Sequence, residues 1–191
     1  DALVIRSGTQ VTQKIIEAAD NLKVIGRAGV GVDNVDVDAA TKKGIIVTNA
    51  PEGNMISAAE HTIAMMMAMS RNIPQANASL KAREWKRNKF MGVEVKGKTL
   101  GIIGLGRIGS EVAKRASGLE MNLMGYDPFI SEKRATELGV KLATVNEIAK
   151  QADYITVHTP LIKETRNILD EEQFALMKKG VRILNCARGG I

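Results

Sequence analysis

Aromatic residues make up only 3% of this 191-residue chain, too few for a base-stacking nucleic-acid surface. Cysteine is nearly absent too. Cys186 stands alone, so an internal disulfide and a cysteine-rich zinc module are both excluded. That scarcity points to a reducing, cytoplasmic setting. Histidine occurs only at His61 and His158, and no metal site is expected. No apolar run approaches the roughly 20 residues of a membrane span. The chain opens at Asp1 without the basic and apolar regions of a signal peptide. It starts almost directly on Leu3-Val4-Ile5 and stops at Arg188-Gly189-Gly190-Ile191, so both ends read as cut from a longer protein.

What is present is globular: 45% of residues are apolar and 25% charged, which rules out a disordered or fibrous chain. The net charge of +6, from 27 Lys and Arg against 21 Asp and Glu, favours anionic partners. Most of that charge is scattered. The one dense cluster is Lys81, Arg83, Lys86, Arg87 and Lys89 around Trp85, with Phe90 following. It reads either as a solvated helix end or as an arm that meets a second copy of the chain. No nucleic-acid or membrane partner is expected.

Short apolar runs alternate with amphipathic stretches, the grammar of a parallel α/β fold. Strands are predicted at Leu3–Ile5, Val24-Ile25 and Ile45–Thr48, with helices over Val11–Leu22 and Asp36–Lys43. The turn-rich Asn49–Asn54 then breaks the rhythm. A long helix from about Ser57 to Ser70 follows, holding Met65, Met66, Met67 and Met69. It is apolar nearly all round, which predicts burial on several sides, His61 included. A second helix is expected from Gln75 to Arg83. From Lys98 the alternation restarts. Strands are predicted at Thr99–Ile103, Leu123–Tyr126, Tyr154–His158 and Val181–Asn185. Helices are predicted at Gly109–Leu119, at Ser131–Leu138, from a Thr144/Glu147 capping box to Gln151, and at Asp170–Lys179, with Gly180 past the last. Two units result: residues 1–51 and residues 52–191.

The strongest chemical signal is Gly104-Leu105-Gly106-Arg107-Ile108-Gly109. It follows a predicted strand and opens a predicted helix, the context a dinucleotide fingerprint requires. Gly104 allows the tight turn, Gly106 the approach of a pyrophosphate, and Gly109 close packing of helix on sheet. The helix N-terminus, with Arg107 and Ile108, then supplies N–H groups to the phosphates. The next strand ends at Asp127, 18 residues after Gly109, where a carboxylate meets the ribose hydroxyls of NAD. A 2′-phosphate about 4 Å from it would cost roughly 4 kcal/mol at an effective dielectric of 20. NAD is therefore expected over NADP. A second cluster, Gly29-Val30-Gly31, lacks a third helix-opening glycine and has Asp33 and Asp36 beside it. Its backbone N–H groups suit a small carboxylate, or it is an ordinary strand-to-helix turn.

Several ordered motifs resemble one family across essentially the whole chain. Val4-Ile5-Arg6-Ser7 and Val24–Asn34 are similar to the substrate-domain signature of the D-2-hydroxyacid dehydrogenases. Lys98–Gly109 resembles their cofactor loop, and Val157-His158-Thr159-Pro160-Leu161 and Asn185–Gly190 resemble two further motifs. Arg27–Asn34, Asn54 with Ser57–Glu60, and Ile73-Pro74-Gln75-Ala76 resemble the branch that oxidises 3-phosphoglycerate.

The resemblance implies a Rossmann-like doubly wound cofactor domain at residues 52–191, and part of a flavodoxin-like substrate domain at residues 1–51. It implies NAD-dependent oxidation of 3-phosphoglycerate to 3-phosphohydroxypyruvate, a step of serine biosynthesis, with the substrate held between the two domains. Arg188 is then the catalytic arginine, also beside the cofactor. Cys186 and Ala187 line the nicotinamide site, Thr159 lines the cofactor cleft, and Val30 contacts both ligands through its backbone. Arg6, Ser7, Arg27, Gly29, Val30, Gly31 and Asn54 form the substrate site, and the resemblance implies a homodimer or tetramer through the cofactor domain, with Arg87 reaching the site of a neighbouring copy. The family's acid/base histidine and its glutamate lie beyond Arg188, so the isolated chain is expected to be inactive or nearly so. Val30 departs from the hydroxyl residue often found there. Two rivals remain: a dehydrogenase for another 2-hydroxy acid, and a non-catalytic NAD-sensing module like the family's co-repressors.

Overall fold

A computed structural model describes residues 1–191, and the chain divides into two compact units, Asp1–Ile56 and Ser57–Ile191. In the first unit, β1 (Ala2–Ile5), β2 (Val24–Arg27) and β3 (Ile46–Asn49) form a parallel sheet in that order. The helices α1 (Gln13–Ala18) and α2 (Val37–Lys42) connect them. Ile5, Val11, Ile16, Ile25, Val35, Ala40 and Ile45 make one buried cluster. Strand period 2 sends Val4 and Ile46 to the opposite, exposed face. The expected helix Val11–Leu22 is shorter than predicted. Val11 is drawn into a bridge with Val35, and α1 ends at Ala18 before an extended turn. Asp36 caps α2, its Oδ1 accepting the Ala39 N–H at 2.9 Å.

The helix α3 (Met55–Ser70) starts in the last two residues of the first unit and continues into the second, where α4 (Ile73–Lys81) and a 3-10 turn at Arg87–Phe90 follow. Five parallel strands follow: β4 (Thr99–Ile103), β5 (Asn122–Tyr126), β6 (Val140–Leu142), β7 (Tyr154–Val157) and β8 (Arg182–Asn185). Their spatial order is β6-β5-β4-β7-β8, so the direction of winding reverses between β4 and β7. The connecting helices are α5 (Arg107–Gly118), α6 (Glu132–Glu137), α7 (Val145–Gln151) and α8 (Glu171–Leu176). Leu100 and Ile102 of β4 join Val112, Ala113 and Ala116 of α5 in one core cluster. Ile103 joins Ile148 and Ala152 on the other face. This is the doubly wound sheet expected, buried on both faces as a parallel sheet requires.

Further expectations are corrected. α3 is not buried all round: Ala59, Thr62, Met66 and Ser70 form one buried stripe, while Met65 is 47% exposed. His61 lies on the exposed side. α8 stops at Leu176 because Met177 turns extended (ψ 149°) and packs beside the Ile148 cluster, so Gly180 belongs to a later turn. The strand β6 has no counterpart among the predicted elements, and the second helix runs from Ile73 to Lys81 instead of Gln75 to Arg83, with Pro74 in its first turn. The Thr144/Glu147 capping box forms on both arms.

Candidate functional site

Sequence placed the glycine turn at the end of β4, and the structure sets it at the winding reversal, where an open α/β sheet has a crevice. Gly104 has φ +92°, and a Cβ there would lie 2.9 Å from the His158 carbonyl carbon and 3.0 Å from Thr159 Cγ2. Glycine is required twice over, by conformation and by the close approach of the β7 end. At Gly109 a Cβ would fall 1.9 Å from the Gly104 oxygen, so α5 rests directly on the turn. At Gly106 nothing lies within 4 Å of that position, and no side chain caps α5 there. An open glycine before an uncapped helix suits an incoming phosphate.

Asp127, just beyond β5, faces this turn. Its Oδ2 accepts the Leu105 N–H at 2.8 Å and its Oδ1 accepts the Phe129 N–H at 2.9 Å. Each oxygen keeps a lone pair for a further donor, such as a ribose hydroxyl. On the β7 side, Thr159 Oγ1 is buried with no hydrogen-bond partner. A buried unpaired hydroxyl costs free energy unless a ligand satisfies it. The open glycine, the half-used carboxylate and the orphan hydroxyl together fit a dinucleotide such as NAD.

The family model of the D-isomer specific 2-hydroxyacid dehydrogenase NAD-binding domain matches residues 63–191. The chain belongs to this family. It is similar to the D-3-phosphoglycerate dehydrogenase of Methanocaldococcus jannaschii, with 60% identity over 192 residues, covering 100% of this chain and 37% of that protein. It is likewise similar to the D-3-phosphoglycerate dehydrogenase of Bacillus subtilis, with 57% identity, covering 100% of this chain and 36% of that one. The chain thus spans just over a third of these curated relatives. Among solved structures, the D-lactate dehydrogenase of Aquifex aeolicus, complexed with NAD and lactic acid, superposes with a TM-score of 0.92 at 33% identity. That match covers 99% of this chain and 57% of that one.

Within this NAD-binding domain, the loop after β8 is closed by one side chain. Asn185 Oδ1 accepts the Ala187 N–H at 3.0 Å, and its Nδ2 donates to the Arg188 carbonyl at 2.7 Å. Arg188 Nη1 donates to the Ala187 carbonyl at 2.9 Å, and Cys186 is half-buried in the same loop. His158 is partly buried, with Nε2 and Thr156 Oγ1 2.9 Å apart. Desolvation lowers its pKa to about 4, so the imidazole is neutral at neutral pH. Trp85, Lys86, Arg87, Asn88 and Lys89 line one open depression, with Trp85 79% exposed.

In the first unit, the β1, β2 and β3 ends bring Arg6-Ser7, Gly29-Val30-Gly31 and Asn49 to one sheet edge. Arg6, Ser7 and Asn54 are exposed. Arg27 is not where a ligand-facing cation should be: it is 7% exposed, with Nε 3.4 Å from Asn34 Oδ1. Its Nη1 lies 1.7 Å from where a Cβ at Gly29 would stand, so the guanidinium fills the space under that loop. The Gly29 N–H turns back onto the Arg27 carbonyl at 2.9 Å. Asn49 Nδ2 donates to the Val30 carbonyl at 2.6 Å. Sequence reasoning missed Asn34, Asn49 and Asn185 as loop-closing residues. A short amide just after a strand or beside a glycine turn was their only signal.

No group of three or more His, Cys, Asp or Glu side chains stands together to hold a metal ion, and no helix is long and apolar enough to cross a membrane.

Proposed function

We propose that this chain is the cofactor domain, with part of the substrate domain, of an NAD-dependent enzyme that oxidises 3-phosphoglycerate to 3-phosphohydroxypyruvate. The observation that carries the substrate is the identity of 55–60% over the whole chain to proteins of that name. The exposed sheet face at Val4 and Ile46 supports reading the first unit as part of a larger domain.

The reaction removes a hydride from C2 of the acid and a proton from its hydroxyl, which is released to water, leaving a carbonyl. Bound NAD supplies the hydride acceptor. The chain's residues hold and orient. The helix α5 N-terminus would receive the pyrophosphate and Asp127 the ribose hydroxyls, while Thr159 would line the cofactor cleft and Cys186 and Ala187 the nicotinamide site. Arg188 grips the substrate carboxylate and the carbonyl oxygen as it forms, which suits a planar, permanently charged guanidinium. On the first unit, the Val30 and Gly31 amides and Asn54 are suited to a carboxylate and a hydroxyl. Arg6 and Ser7 take the phosphate, with Arg27 supporting the loop from beneath. Neither histidine is assigned the proton: His61 stands exposed on α3, and His158 is neutral and paired with Thr156.

The test is steady-state NAD reduction by the full-length protein with 3-phosphoglycerate, D-lactate and D-glycerate. Preference for 3-phosphoglycerate, and for NAD over NADP by about a thousandfold, is expected. Preference for an unphosphorylated acid would move the activity within the family, and NAD binding without turnover would favour a sensing module.

The same reading includes a homodimer on the cofactor domain. Met65, Ile73, Leu80, Trp85 and Met91 are each 47–80% exposed along α3, α4 and the segment beyond. Solvent-facing apolar side chains at this density mark a partner surface. Light scattering should show a dimer, and Trp85→Ala should weaken it by about 2 kcal/mol, roughly thirtyfold in Kd. A monomer with Trp85 freely quenched by iodide would leave the cationic arm, Arg87 included, as plain surface.

A further inference from the structure

Asn34 is 4% exposed, and every polar atom of its side chain is committed. Its Nδ2 donates to the Arg6 carbonyl at 2.9 Å and to the Thr9 carbonyl at 2.6 Å. Its Oδ1 accepts from Arg27 Nε at 3.4 Å. The network fixes the amide's orientation. Reversed, it would set an NH2 against a guanidinium and an oxygen against two carbonyls. The Asn34 carbonyl also accepts the Val11 N–H at 2.8 Å, so its main chain is anchored beyond the first loop.

Arg27 carries the constraint onward. Its Nη1 lies against Gly29, which has φ +147°, and donates to the Ala28 carbonyl at 3.4 Å. One buried side chain therefore ties the loop after β1 to the loop after β2. These loops leave adjacent strands in register, Ile5 opposite Arg27.

We propose that Asn34 is a positioning residue that sets the spacing between the Arg6-Ser7 loop and the Gly29–Gly31 loop. Its function is to select an acid with anionic groups at both ends. This rests on the reading above, in which the two loops hold the phosphate and carboxylate of one substrate. Loops free to move separately would each still meet an anion. Holding both groups of one molecule would then require ordering the loops at each binding event.

The test uses Asn34→Asp and Asn34→Ser in the full-length protein. The Asp variant keeps the size and an acceptor for Arg27 but turns a carboxylate on the Arg6 and Thr9 carbonyls. The Ser variant has one donor and is too short to span both. In each, KM for 3-phosphoglycerate should rise about tenfold or more, with KM for NAD within about twofold and kcat within about threefold. Amide hydrogen exchange should quicken at residues 6–9 and 29–31 and stay unchanged through residues 99–185. If the Asp variant fails to fold, the Ser variant carries the same readings. A folded variant with unchanged KM for 3-phosphoglycerate, or with equal rises in both KM values, overturns the proposal. An unmodified protein that does not reduce NAD with 3-phosphoglycerate sinks the functional reading instead, and unchanged exchange at the two loops sinks the positioning one.

Discussion

Replacing Gly109 by Ala should lower the melting temperature by about 6–12 °C and raise the Kd for NAD by about two orders of magnitude. The added Cβ would stand 1.9 Å from the Gly104 oxygen and 3.0 Å from its carbonyl carbon. Both are backbone atoms, and no rotamer change can clear them. Either α5 lifts from the sheet or the turn at Gly104 opens. Overpacking in a closed site typically costs 1–3 kcal/mol, and a backbone obstacle places this one at about 3 kcal/mol. Lifting α5 also pulls its N–H groups off the phosphate position, so fold and binding fall together. Gly106→Ala is the control, because nothing lies within 4 Å of its Cβ position and its φ is −66°. That variant should melt within about 0.5 kcal/mol of the parent while still binding NAD more weakly. Differential scanning calorimetry with NAD titration separates the two. A Gly109→Ala protein that melts and binds like the parent would mean that α5 does not rest on the turn.

The glycine turn was legible in the sequence because its chemistry is local. Strand, turn, helix start and Asp127 occupy one short stretch, and each residue type has a stated job. The capping box at Thr144 was legible for the same reason, a reach of one helical turn. What stayed hidden depends on distant partners. Asn34 reaches carbonyls 25 and 28 residues away, and no pattern near residue 34 announces them. Arg27 reads as an anion-binding cation until the fold turns it beneath Gly29. The end of α8 misled because Lys178 and Lys179 before Gly180 imitate a helix terminus. In the structure Lys178 instead pairs with Asp153 at 3.0 Å, already past the helix. β6 has three residues, too few for period 2 to register, and exists because β5 offers it an edge. The methionines of α3 signalled burial by composition alone. Only one stripe meets the core, and hydrophobicity on every side cannot say which.

Arg188→Ala should reduce kcat/KM in the full-length enzyme by about 10²–10³-fold while leaving NAD affinity within about threefold. The loop that presents this residue is held by backbone and amide contacts rather than by its own guanidinium alone. Asn185 binds both the Ala187 N–H and the Arg188 carbonyl, so truncating Arg188 leaves the loop closed. With Arg188 in its proposed role, the loss then reports on charge and geometry at the reacting carbonyl. Arg188→Lys separates these two contributions. An ammonium restores the charge but has no planar fork for two parallel hydrogen bonds, so most of the loss should persist. Asn185→Ala tests the loop itself. It opens the turn while keeping the guanidinium, and should produce a smaller loss, within about tenfold. Full activity in the Arg188→Lys variant would show that charge alone is needed, and full activity in Arg188→Ala would remove this residue from the chemistry altogether.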